Sequence, residues 1–278
     1  TTLVSVDSEA SIVTITCRGE VDTSDHAGVI GRHAGHLPLW SFCSQSDLTR
    51  PGPKMRALAA ELRGRDLGPL DMLHALSAEI LDRVEYRIGS TGVDTKGEEA
   101  LGEGAGVCQD HAHVFIAASR SLGIPARYVS GYLLATEEFE GADEHGEIHE
   151  THAWAEAFVE GFGWVGFDAA NQVCPTERYV RLVGGLDAQE AAPIRGSITG
   201  QVEETLEAEV RIAPAGPGFD DWPGLLALVQ AAFARMEGRI DPPSSLSRMD
   251  AAAMRAKISS MPKAGSRSNR LPTASATT

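Results

Sequence analysis

The chain is short of cysteine, of basic residues and of long apolar runs, and each shortage removes a class of protein. Four cysteines in 278 residues, at positions 17, 43, 108 and 174, form neither a CxxC pair nor a dense framework, which disfavours zinc knuckles and secreted disulfide scaffolds. Lys and Arg number 24 against 39 Asp and Glu, a formal net charge of -15. A phosphate backbone or an anionic membrane surface finds no basic footprint here, so neither nucleic acid nor membrane is expected as a partner. No apolar run approaches the roughly 18 residues of a spanning helix, and residues 1–10 lack the basic and apolar blocks of a signal peptide. The expected compartment is the cytoplasm. Residue 1 is threonine, which leaves room for an N-terminus shortened by processing or truncation, with a targeting segment or first strands removed. What is present, 42% hydrophobic residues, suffices for the core of one large or two modest domains.

Leu3 to Val21 alternate loosely, with Val13, Ile15 and Cys17 on one side and Thr14, Thr16 and Arg18 on the other, as half-buried antiparallel strands do. Asp25 to Pro53 is rich in Gly, His, Pro and Ser, an irregular connection anchored by Trp40 and Phe42. Met55, Leu58 and Leu62 predict a short helix. Leu70, Leu73, Leu76, Ile80 and Val84 predict a longer one that ends near Tyr86 to Gly89, and Thr91 to Gly106 reads as a loop. The next helix starts at or just before Cys108, runs through Val114, Phe115, Ala117, Ala118 and Leu122, and stops at Gly123 ahead of Pro125. Strand-like runs follow at Ala126 to Leu134, Thr151 to Val159 and Trp164 to Asp168, the last two joined by a turn over Glu160 to Gly163. Tyr179 to Val183 and Leu206 to Ile212 are candidate closing strands. Beyond a Pro/Gly linker, Trp222, Leu225, Leu226, Val229, Phe233 and Met236 form one helical face, and the basic, Ser/Thr-rich end reads as disordered.

Three reactive residue types converge in this pattern. Cysteine attacks as thiolate, a form favoured at a helix N-terminus or beside an imidazolium, and position 108 would offer both. Gly104 and Gly106 permit a tight turn into the helix, whose first-turn amides suit a developing oxyanion. Along the Thr151 to Val159 run, His152, Trp154, Glu156 and Phe158 share one face. Ala153, Ala155, Ala157 and Val159 share the other, where small side chains let a helix lie close. A hairpin folded near residues 160 to 162 sets His152 opposite a residue between 168 and 172, a span holding Asp168 and Asn171, either of which can fix the imidazole. Taken singly, each has a structural explanation: a buried thiol, or a core histidine satisfied by a carbonyl. Taken together they are a nucleophile, a base and an orienting group.

The residues that carry this arrangement closely resemble the bacterial branch of the transglutaminase-like superfamily of cysteine peptidases and acyltransferases. Gly106-Val107-Cys108-Gln109-Asp110 with His111-Ala112-His113, then Arg120 to Tyr132, are similar to its cysteine motif and the segment after it. His152-Ala153-Trp154 and Gly163-Trp164-Val165-Gly166-Phe167-Asp168 resemble its histidine and aspartate motifs, although alanine follows Asp168 where the family often has proline. The resemblance covers most of residues 3 to 212. It implies an α+β, papain-like core, with the nucleophile on Cys108, the base on His152 and the orienting acid on Asp168. With the patterns read above, it divides the chain into a partial N-terminal β-rich region (1–52), a catalytic core with closing strands (53–212), a helical extension (213–260) and a disordered tail (261–278). Asp220 to Met249 weakly resembles the opening of a GNAT-type acetyltransferase, without the Gly-rich pyrophosphate loop, so no acetyl-CoA site is expected.

The expected reaction is thiol-dependent acyl transfer on a peptide or protein amide, with hydrolysis favoured over transamidation of protein glutamine, and no cofactor or metal. A non-catalytic module that retains the fold is the alternative of another class. A zinc site using Cys108, His145, His149 and His152 is the competing chemistry, weakened by the lack of a rigid ligand pair. His26, His33 and His36 read as loop residues. His111 and His113 stand two apart on a helix and face different ways. Trp154 and Trp164 read as packing residues. Between Glu137 and Glu160 lie nine acidic residues and no Lys or Arg, a solvated loop or a field that draws amine-bearing substrates.

Overall fold

The structure, a computed structural model, describes residues 13–134, 151–196, 210 and 212. The chain separates into a unit of residues 23–213 and a second made of residues 1–22 and 214–278. Of the second unit only residues 13–22 are described, as exposed backbone outside any strand. The earlier part of the Leu3 to Val21 run, most of the Leu206 to Ile212 strand, the helical face from Trp222, the GNAT-like segment and the tail lie outside the described residues.

In the 23–213 unit the elements are β1 (Val29–Gly31), a 3-10 turn (Leu39–Cys43), α1 (Pro53–Arg63), α2 (Pro69–Arg83), β2 (Glu85–Tyr86), α3 (Gly97–Glu103), β3 (Ala105–Gly106), α4 (Cys108–Ser121), β4 (Ala126–Leu133), β5 (His152–Val159), β6 (Gly163–Phe167) and β7 (Tyr179–Gly185). Helices precede and an antiparallel sheet follows, in the order β1-β6-β5-β4-β7, giving the α+β class expected from the sequence. β2 and β3 add a short parallel pair.

Both α1 and α2 open with a Gly-Pro step that puts proline where a helix needs no N–H. Their apolar stripes, Met55, Leu58 and Leu62 on α1 and Leu73, Leu76 and Ile80 on α2, are fully buried. Each such side chain contributes about 2 kcal/mol of hydrophobic stabilisation. Helix α4 is buried from Asp110 to Arg120, because α1, α2 and α3 pack around it and β5 covers its remaining face with Ala153, Ala155 and Ala157. Phe115 of α4 stacks on Phe167 of β6, with centroids 5.0 Å apart.

Two elements depart from the sequence reading. The Thr91 to Gly106 loop contains α3, which lacks an apolar period of its own and is held by tertiary bonds. Its Glu98 carboxylate accepts the backbone N–H groups of Gly52, Lys54 and Met55 and so caps α1 from a distance. The compact unit begins near residue 23 instead of 53, because residues 25–52 are stitched to the core. β1 pairs with β6, and the buried Arg120 guanidinium donates to Phe42 O and Thr49 Oγ1. Gly163, at φ +85°, permits that approach, since a Cβ there would stand 2.1 Å from Gly31 O.

Candidate active site

Cys108 is the first residue of α4, and its placement comes from the residues around it. Val107 is extended, at φ -109° and ψ -175°. The Asp110 carboxylate folds back to accept Val107 N–H at 2.8 Å and the Thr91 hydroxyl at 2.6 Å. Valine has no side-chain acceptor, so this is half of a capping box, with Asp110 supplying all of the side-chain capping. Gly106 makes room for it: a Cβ there would lie 2.7 Å from Asp110 Cβ. The negative carboxylate at the first turn also complements the helix dipole.

Strands β5 and β6 run in register from Val159↔Gly163 to Ala155↔Phe167, which places Asp168 one step beyond β6, across from Trp154 and diagonal to His152. Asp168 closes a small loop by exchanging backbone bonds with Val173. Its Oδ1 accepts the N–H groups of Ala170 and Asn171 at 3.1 and 3.3 Å. Its Oδ2 receives His152 Nε2 at 2.6 Å, Asn171 Nδ2 at 2.7 Å and the Tyr179 hydroxyl at 2.8 Å. Of the two candidates read from the pairing, Asp168 therefore meets the imidazole, and Asn171 holds Asp168. Tyr179 was read only as a strand residue.

Burial opposes charge on both partners, and the hydrogen bonds overcome it. Asp168 is 1% exposed, yet bonds from His152, Asn171 and Tyr179 hold its carboxyl below the ordinary carboxylate value. His152 is likewise disfavoured as a cation by burial, but the Asp168 bond first and Cys108 second push it up to about 10. With Nε2 committed to Asp168, Nδ1 is the nitrogen left for the Cys108 thiol. The ring is boxed by Trp154 and Tyr179, with centroids 6.3 and 5.9 Å away.

Trp164 packs elsewhere, against Phe42 and Phe158 and under the Arg127 guanidinium at 3.9 Å, and donates to His33 Nδ1. Both ring nitrogens of the fully buried His111 face carbonyls, of Val107 and Val84. His113 Nε2 accepts Ala188 N–H, and burial lowers this imidazole to about 4. Among the described residues no three His, Cys, Asp or Glu side chains are grouped to hold a metal ion. His145, His149 and the acidic stretch 137–150 lie outside the described residues.

Residues 56–169, which include Cys108, His152 and Asp168, match the family model of the Transglutaminase-like superfamily. These residues form a transglutaminase-like domain. An uncharacterised protein of Mycobacterium leprae is 38% identical over 131 residues, 47% of this chain and 45% of that protein. A protein-glutamine gamma-glutamyltransferase of Pseudomonas aeruginosa is 32% identical over 132 residues, 44% of this chain and 19% of that protein. The crystal structure of a candidate cysteine protease from Cytophaga hutchinsonii is 31% identical, covers 61% of this chain and 55% of that one, and aligns with a TM-score of 0.47. The chain spans about half the length of the first curated relatives it matches.

Proposed function

We propose that this transglutaminase-like domain catalyses acyl transfer on amides through a Cys108 thioester, and that water is its usual acceptor, which makes it a peptidase or amidase. The observation that carries the reading is the His152 imidazole, clamped at 2.6 Å by a buried Asp168 and flanked on its other side by a thiol at a helix start. Cys108 Sγ, held as thiolate beside the His152 imidazolium, attacks the carbonyl carbon. The first-turn amides of Cys108 and Gln109, which a helix cannot satisfy internally, face the negative oxygen that forms. Collapse breaks the C–N bond, the leaving amine takes the proton from His152, and a thioester remains. Water, deprotonated by His152, then adds to the thioester and releases a carboxylic acid and the thiol.

The same thioester attacked by a primary amine gives transamidation. The Pseudomonas aeruginosa relative, a protein-glutamine gamma-glutamyltransferase, favours this second reading. A mass-spectrometric screen of a peptide library, with and without added primary amine and with Cys108→Ala as control, separates the outcomes. Cleavage or deamidation that needs Cys108 supports hydrolysis, and incorporation of the amine supports transamidation. A library unchanged under both conditions would leave a non-catalytic module as the better description.

A further inference from the structure

We propose that Tyr179 is a positioning residue that sets how strongly Asp168 holds the proton on His152. Its hydroxyl donates to Oδ2, the same oxygen that His152 Nε2 approaches, and Asn171 Nδ2 is the third donor there. Each neutral donor withdraws negative charge from that oxygen and so weakens its pull on the imidazolium. The direction matters for catalysis. A base serves best when it gives up its proton near the working pH, and Asp168 alone would carry His152 further from that condition. Tyr179 is fixed for this task. It is 7% exposed, paired with Leu133 across β4, and wedged edge-on against Trp154 with centroids 5.4 Å apart. A buried carboxylate needs its lone pairs satisfied, but Ala170 N, Asn171 N, Asn171 Nδ2 and His152 already supply four donors. The Tyr179 hydroxyl is the fifth, and its effect falls on the shared oxygen.

The inference rests on Cys108, His152 and Asp168 acting as one unit, yet its test needs no substrate. The His152 ring is titrated by nitrogen-15 NMR in the full chain, as wild type, Tyr179→Phe and Asn171→Ala, with circular dichroism to verify the fold. Tyr179→Phe keeps the aromatic packing and removes only the hydroxyl. The expected result is a midpoint raised by about one pH unit, or about tenfold less neutral imidazole at a fixed pH in the titration range. Asn171→Ala, which strips another donor from the same oxygen, moves the midpoint in the same direction. A tyrosine that merely braces Asp168 gives the opposite sign on removal, because a loosened carboxylate holds the imidazolium less well. A midpoint unmoved or lowered in folded Tyr179→Phe, or in Asn171→Ala should the first variant not fold, overturns the proposal. Raised midpoints in a protein that processes no library peptide would leave the inference standing and sink the enzymatic reading alone.

Discussion

Glu156 offers the sharpest stability test, because it stands on the strand that presents His152 and has no exposed surface at all. Its carboxylate receives Arg127 Nε at 2.6 Å from the adjacent strand β4, and Arg181 Nε at 2.7 Å from β7, the strand beyond β4. Arg127 is itself mostly buried and lies over Trp164, where desolvation pulls its guanidinium below the ordinary value against the attraction of Glu156. Glu156→Gln preserves the shape and removes the charge, leaving two cations beside an amide whose NH2 end repels them. Breaking one member out of a buried ionic set destabilises by about 3 to 5 kcal/mol. For a unit of this size that lowers Tm by about 10 °C. The assay is thermal unfolding followed by circular dichroism. The companion variant replaces all three residues with apolar ones (Glu156→Leu, Arg127→Met and Arg181→Met), and it should recover most of the loss, since the ion set orders the sheet more than it stabilises it. A Glu156→Gln protein that melts within about 2 °C of wild type would refute the reasoning, because it would mean the guanidiniums are solvated well enough to stand alone.

Three further outcomes follow from single positions. His113 titrates at about 4 when folded against 6.5 for the free side chain, because burial disfavours its cation and Nε2 must stay bare to accept Ala188 N–H. Its contribution is complete above pH 6.5 and is lost as the pH falls through about 4, so chemical denaturation at stepped pH should show stability declining across that window. His113→Gln should flatten the decline. His152 acts on the other side: raised to about 10, it adds stability that is full below 6.5 and disappears as the pH climbs through its folded value. Gly131→Ala would place a methyl 2.3 Å from Val180 O and 2.6 Å from the Trp154 ring. The strand pair and the indole must both shift, so Trp154 emission should change and stability fall by about 2 kcal/mol. An unchanged spectrum and melting curve would contradict that packing.

The parts of this fold that could be read in advance are those whose signals are local. Helix α4 is punctuated by Gly123 and Pro125, and the structure ends it at Ser121, with Leu122 as its cap. The β5–β6 hairpin follows from alternation and a turn, and the same register arithmetic narrowed the partner of His152 to a span that contains Asp168. The alanine face of β5 likewise announced the helix that packs on it. What escaped reading is tertiary in origin. Helix α3 exists because Glu98 caps another helix and because Gly97 lies so close to α4 that a Cβ would stand 3.2 Å from the His113 backbone. β1 is three residues long and is defined only by its partner β6. Tyr179 reaches Asp168 through the pairing of β7 with β4, a strand far earlier in the chain, and no pattern around residue 179 encodes that meeting.

The central claim is that Cys108 and His152 react as a unit, and the rate at which iodoacetamide alkylates Cys108 measures it most directly. The Cys108 peptide is followed by mass spectrometry against pH, in wild type and in His152→Ala, with Cys17, Cys43 and Cys174 as internal controls in the same digest. The account predicts alkylation of Cys108 in wild type at pH 6 that is faster by about tenfold or more than in His152→Ala, since the imidazolium favours the thiolate. A Cys108 that reacts with the profile of an ordinary thiol in both proteins would contradict it.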